Sequence, residues 1–192
     1  SGQYSHDQDE SPLPLFNVWG TVESEESSLE ARLSGTAFND RFEWTAGAFF
    51  WDANQQNGGA VSLTYYQLPF LVFDTDDHNE AENKGLYFHS ITSLTDRLSL
   101  TAGLRTSDDE KLFTFSHFFD ATVTGGGESD DWKVGLDYQL DDEQMVYVQA
   151  ASGYTASTFN GRPFTPAQLI PQPPEELVSD EVRYKPDFAN VR

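Results

Sequence analysis

Apolar and polar residues alternate with a period of two in segment after segment of this chain, a pattern that admits strands and excludes amphipathic helices. Between Leu98 and Arg105, the residues Leu98, Leu100, Ala102 and Leu104 take one side and Ser99, Thr101, Gly103 and Arg105 the other. From Trp132 to Asp141 the split recurs, with Trp132, Val134, Leu136, Tyr138 and Leu140 opposed to Lys133, Gly135, Asp137, Gln139 and Asp141. Phe42, Trp44, Ala46, Ala48 and Phe50 oppose Glu43, Thr45 and Gly47 in the same way. Leu29-Ala31-Leu33 and Val146-Val148-Ala150 complete the clearest set. About nine or ten such strands are expected, each with one apolar and one polar face.

The connections between these strands are unequal. Three are tight and alike: Phe38-Asn39-Asp40-Arg41, Leu94-Thr95-Asp96-Arg97 and Leu140-Asp141-Asp142-Glu143. Each carries Asn, Thr or Asp followed by Asp, side chains that accept turn geometry through their own oxygens. The strands that follow the first two also correspond, Phe42-Glu43-Trp44-Thr45-Ala46-Gly47 beside Leu98-Ser99-Leu100-Thr101-Ala102-Gly103, so a hairpin is repeated. The other connections are long polar excursions, read as loops over residues 52–83, 106–131 and 155–180. Short turns at one end and long loops at the other describe an all-β, antiparallel, up-and-down meander. Membrane barrels have that asymmetry.

Composition removes most other classes. Thirty-two acidic residues against 11 basic ones give a net charge of −21, so no nucleic-acid partner is expected. With no cysteine, disulfides, thiolate metal sites and thiol nucleophiles are excluded. Phe 15, Tyr 8 and Trp 4 supply 14% of the chain, an aromatic content suited to β-structure. No run of 18 apolar residues exists, so any membrane is crossed by strands. Residues 1–16 show no secretory signal and read as a flexible acidic segment ahead of a barrel-like unit over 17–192.

Candidate sites are few. Tyr65, Tyr66, Phe70 and Phe73, in an uncharged stretch, are the candidate ligand contacts, and the same stretch is the expected self-association site. The acidic run offers Asp74, Asp76, Glu80 and Glu82, with His78 between them, at alternating positions on one strand face. That is a donor set for calcium, without the glycine or spacing of an EF-hand loop. His6, His78, His89 and His117 are scattered without metal-ligand spacing, and His89 is expected to face a polar interior. Gly125-Gly126-Gly127 has no following Lys-Ser/Thr and reads as a loop tip. Arg162 to Pro174 reads as a stiff, exposed proline-rich loop. No nucleophile elbow or distinct carboxylate pair appears, so no catalytic residue and no enzyme activity are expected.

Leu94-Thr95-Asp96-Arg97-Leu98-Ser99-Leu100-Thr101-Ala102-Gly103-Leu104-Arg105, running on into Ser107-Asp108-Asp109-Glu110-Lys111, resembles the strand-turn-strand signature of TonB-dependent outer-membrane receptors. So do Phe42 to Phe50 and the segment Tyr147-Val148-Gln149-Ala150-Ala151-Ser152-Gly153-Tyr154 with Phe159-Asn160-Gly161-Arg162-Pro163. The resemblance spans about residues 17 to 192 and implies a barrel of about 22 strands enclosing an N-terminal plug, driven through a short energy-coupling box. It further implies uptake of ferric chelates or similar small ligands at the bacterial outer membrane. These residues show no plug, no such box and no terminal aromatic strand signal, which implies a middle slice of the barrel. Glu181-Val182-Arg183-Tyr184-Lys185 departs from the family's Glu-x-Gly-x-Lys, and Pro186 after it confines the strand to an edge or ends it. Thr155 stands where the family often has Lys or Arg.

A slice of a barrel in lipid leaves two rows of unpaired backbone groups, each costing several kcal/mol. Its partners are therefore outer-membrane lipid together with the remaining strands and plug, or else other copies of itself. The second case defines an alternative: a structural protein whose open edges join copies into an extracellular filament.

Overall fold

A computed structural model of the chain describes residues 2–9, 17–62, 72–117 and 119–186. Eight strands follow one another: β1 (Gly2–Asp9), β2 (Asn17–Ala37), β3 (Phe42–Ser62), β4 (Val72–Ser93), β5 (Leu98–Ser116), β6 (Asp120–Asp141), β7 (Gln144–Thr155) and β8 (Glu175–Pro186). They lie side by side in chain order in one sheet, every neighbouring pair antiparallel. The all-β meander is as expected, with eight strands among the described residues instead of nine or ten.

The lower count has a physical cause. Where they are described, at 52–62, 72–83, 106–116 and 120–131, these excursions are continuations of the strands, so that β3, β4 and β6 run 21 or 22 residues each and β5 runs 19. A tilted strand needs about 9–11 residues to cross a bilayer. The far halves therefore extend beyond the length a bilayer needs, and there the side that carries the apolar row holds mostly polar residues. Alternation fades over most of that length, outside Phe113-Thr114-Phe115, and backbone pairing marks the strand. The third long connection is shorter than expected, 156–174, and holds a 3-10 turn at Pro166–Gln168. Residues 2–9, expected to be flexible, pair with Val18–Ser24 of β2.

Register places the apolar residues on one face. Leu29 stands opposite Phe50, Leu33 opposite Ala46, Ala46 opposite Phe88, Phe88 opposite Leu104, and Leu104 opposite Trp132. Leu136 then faces Val148, and Val148 faces Val182. Many of these side chains are left open on this face: Leu29 is 72% exposed, Leu104 65% and Val182 75%. A contiguous apolar face of this extent needs a cover. Aromatics border it, with Phe42 and Tyr138 at the turn end and Phe50 and Trp132 at the other. Asp180, opposite Ala150, is the acidic interruption, on β8 at the sheet edge. Pro186 closes β8, the edge strand, as its missing N–H requires.

The three tight turns hold through their own polar groups. Phe38, Asn39 and Asp40 all have positive φ, and the Thr36 hydroxyl donates to the Asp40 carboxylate at 2.9 Å. The Thr95 hydroxyl oxygen accepts from the Arg97 and Leu98 N–H groups, and the Asp141 carboxylate accepts from the Glu143 N–H. Adjacent turns are also tied: Arg41 pairs with Asp96 at 3.2 Å, and Arg97 donates to the Leu140 carbonyl at 3.3 Å. The repeated Asp-Arg pair thus fastens one turn to the next.

Candidate functional site: a walled cleft on the polar face

The other face carries the polar partners of the alternation. Within the belt, Tyr87 donates to Glu30, whose carboxylate also takes Arg32 at 2.8 Å. The Tyr87 ring lies so close over Gly47 that any side chain there would collide with it. The Arg105 guanidinium sits 4.8 Å from the Phe49 ring centroid, and Tyr147 and Gln149 both donate to Glu181, which pairs with Arg183. His89 shares this face, opposite Thr45 and Gly103, as the sequence suggested.

In the projecting half the same face is built differently. Odd-numbered positions of β5 bring Lys111, Phe113 and Phe115 onto it, beside Asp77 and Asn79 of β4 and Ala121, Val123 and Gly125 of β6. Segment 156–174 folds back over this surface. Phe159 stacks on Phe113 at 5.9 Å with an interplanar angle of 16°, and Leu169 joins Phe113 and Phe115 in the buried cluster. Lys111 Nζ donates to the Ser157 carbonyl at 3.1 Å, while the Gly126 N–H donates to Ser157 Oγ at 2.6 Å.

The glycine triplet makes this close approach feasible. A Cβ on Gly125 would meet Ser157 Oγ at 2.5 Å and the Phe159 ring, one on Gly126 would strike the Asp109 carbonyl, and one on Gly127 would strike the Tyr154 hydroxyl. The triplet is therefore strand β6 opposite Asp109–Lys111, not a loop tip. The proline-rich stretch from Arg162 to Pro174 is largely exposed, as expected, but Pro163 and Leu169 are buried and anchor it.

Between wall and folded-back segment lies a cleft of about 290 Å³ lined by Asn57, Asp77, Asn79, Lys111, Phe113 and Phe159, among others. Asp77 is 8% exposed. Burial raises its carboxyl above the ordinary carboxylate value, opposed by the Ser116 N–H that bonds it at 3.4 Å and by the His117 imidazole. The cleft can present a buried carboxylate, two amides and aromatic surface to a small molecule.

The residues singled out from sequence fare unevenly. Tyr65, Tyr66 and Phe70 lie outside the described residues, as does the side chain of Phe73, whose backbone pairs with Val61 in β4. Asp74, Asp76, Glu80 and Glu82 occupy alternating positions of β4 on the side of the apolar face, beyond it. They are engaged separately: Gln56 donates to Asp76, His78 meets Glu80 at 2.9 Å, and Lys84 pairs with Glu82. Among the described residues no three His, Asp or Glu side chains group closely enough to hold a metal ion. Asp77, Phe113, Phe159 and the glycine triplet as a cradle were not singled out. The signal was present in Lys111-Leu112-Phe113-Thr114-Phe115, where alternation continues inside the supposed loop.

Comparison with known proteins places this geometry. Residues 1–188 match the family model described as "TonB dependent receptor-like, beta-barrel". The chain is similar to the crystal structure of the ferric yersiniabactin uptake receptor FyuA from Yersinia pestis, with a TM-score of 0.78 and 19% identity over 93% of this chain. It spans 28% of that receptor's length. No curated protein matches. A sheet with one lipid-suited face, laced short turns at one end and doubled strands at the other is part of such a barrel, and the chain belongs to the TonB-dependent receptor family.

Proposed function

We propose that these strands form a sector of an outer-membrane transport barrel that takes part in energy-coupled uptake of a ferric chelate or similar small ligand. The family is one of transport receptors of the bacterial outer membrane, not of enzymes. The observation that carries the reading is the pairing of a belt clad in exposed aliphatics with a polar face that folds a loop inward at its far end. In this reading the belt meets lipid, the polar face lines the passage, and the remaining strands, a plug and the TonB energy coupler complete the machine. Tyr65, Tyr66 and Phe70, which fall between β3 and β4 in the sequence, and Phe73, early in β4, are proposed to meet ligand at the mouth. Edge-to-edge assembly into a filament finds no support in the family or the similar structure.

The test is uptake in cells carrying the full-length receptor as their sole iron-chelate transporter. Replacing segment 156–174 by a short Gly-Ser link is expected to abolish growth on the chelate while the protein still reaches the outer membrane. Unchanged growth would contradict the reading.

A further inference from the structure

The charge of the chain is concentrated in the projecting half. Residues 20–28, 51–62, 72–85, 105–131 and 155–176 hold 18 of the 32 acidic residues but only four of the 11 basic ones, Lys84, Arg105, Lys111 and Arg162. A mouth of that sign concentrates cations and repels polyanions. Of the charged residues at the cleft, Asp77, Glu80 and Lys111, the side chains of Asp77 and Lys111 stand on its face of the sheet and that of Glu80 on the other. Lys111 is directed to the Ser157 carbonyl and so serves the folded-back segment. Glu80 is met by His78. Asp77 differs from both. It is more than nine-tenths buried, and its hydrogen bond among the described residues is a long one from the Ser116 N–H, which leaves carboxylate acceptor capacity for a bound group. Phe159, stacked on the buried Phe113, adds ring surface to the same cleft, and Asn57 and Asn79 add amides.

We propose that this cleft binds an aromatic compound bearing an ammonium group, with the ammonium donating to Asp77 and the ring packing on Phe159, and that the transported ligand is neutral or cationic and not a polyanionic chelate. The inference deepens the uptake reading and rests on it. Segment 156–174 forms one wall of the site, held by the Lys111 and Gly126 bonds to Ser157 and by the close approach that Gly125 permits to Ser157 and Phe159. A charge-assisted bond inside a partly dehydrated cleft is stronger than the same pair in water.

The experiment uses purified full-length receptor in detergent, with phenethylammonium and 3-phenylpropionate as probes of like size and opposite charge, titrated by saturation-transfer NMR. Phenethylammonium is expected to bind about fivefold or more tightly than 3-phenylpropionate, the scale of one charge-assisted hydrogen bond. Asp77→Asn is expected to erase that preference, Gly125→Val to lose binding of the ammonium probe, and Glu25→Gln, outside the cleft, to change neither. Absence of phenethylammonium binding, equal or tighter binding of the anion, or a preference that survives Asp77→Asn overturns the proposal. Heat-modifiable migration of the same preparations reports on the barrel separately, so a failed cleft and a failed barrel give different results.

Discussion

At the scale of single residues, small side chains decide where large ones can go. Gly47 leaves space for the Tyr87 ring and thereby for the Tyr87–Glu30–Arg32 group on the polar wall. Gly125, Gly126 and Gly127 do the same for Ser157, Phe159 and Tyr154. Gly125→Val is therefore expected to displace segment 156–174 while leaving the belt intact, read as lost hydrogen-exchange protection confined to 157–169. Loss of protection throughout the sheet would contradict it. Asp77 supplies a pH signature whose sign is fixed by its raised carboxyl. The folded chain holds that proton more tightly than the unfolded chain does. Its contribution to stability is thus fully present below the unfolded carboxylate value of about 4 and lost as pH rises through the raised folded value. Other charged side chains, Asp76, Glu80 and Lys111, lie nearby, so the difference between the wild type and Asp77→Asn isolates the effect. Protection of the outer β4–β5 ribbon, corrected for intrinsic exchange, is expected to rise with acidification in this window in the wild type and to stay flatter in the variant.

At the scale of elements, the hairpins are set by side-chain oxygens and the belt by alternation. Thr95→Ala removes the acceptor for two N–H groups and is expected to cost about 0.5–1.5 kcal/mol, with no change of register, measured by urea-gradient unfolding in bilayers. Leu136→Arg, in the middle of the apolar row, is expected to cost about 2–4 kcal/mol, whereas Gly135→Ser beside it on the polar face is expected to be nearly neutral. Equal costs at both positions would contradict the assignment of faces. Strands within the belt were legible from sequence because lipid on one side and a polar face on the other impose period two. Their continuations were not, since there the side that carries the apolar row holds mostly polar residues and a paired strand such as Asp74–Glu82 then has a loop's composition. The turns were read correctly because Asn39-Asp40, Thr95-Asp96 and Asp141-Asp142 carry their mechanism locally. The cleft was hidden for the opposite reason. It joins Asp77, Phe113 and Phe159 across 82 residues of sequence, and only the folded-back segment brings them together.

At the scale of the whole molecule, eight strands with free edges at β1 and β8 form a sector of a larger closed wall, consistent with a chain that spans 28% of the similar receptor. The central claim is that even-numbered positions of β6 meet lipid and odd-numbered ones line a watery passage. The absence of cysteine in these 192 residues makes a direct test available. Single cysteines at positions 133 to 138 of the full-length receptor in lipid vesicles, spin-labelled, report oxygen against nickel-chelate accessibility by electron paramagnetic resonance. The expected result is a period of two, with oxygen favoured at Val134, Leu136 and Tyr138 and the water-soluble chelate favoured at Lys133, Gly135 and Asp137. A profile without that period, or one with the two sets reversed, would contradict it.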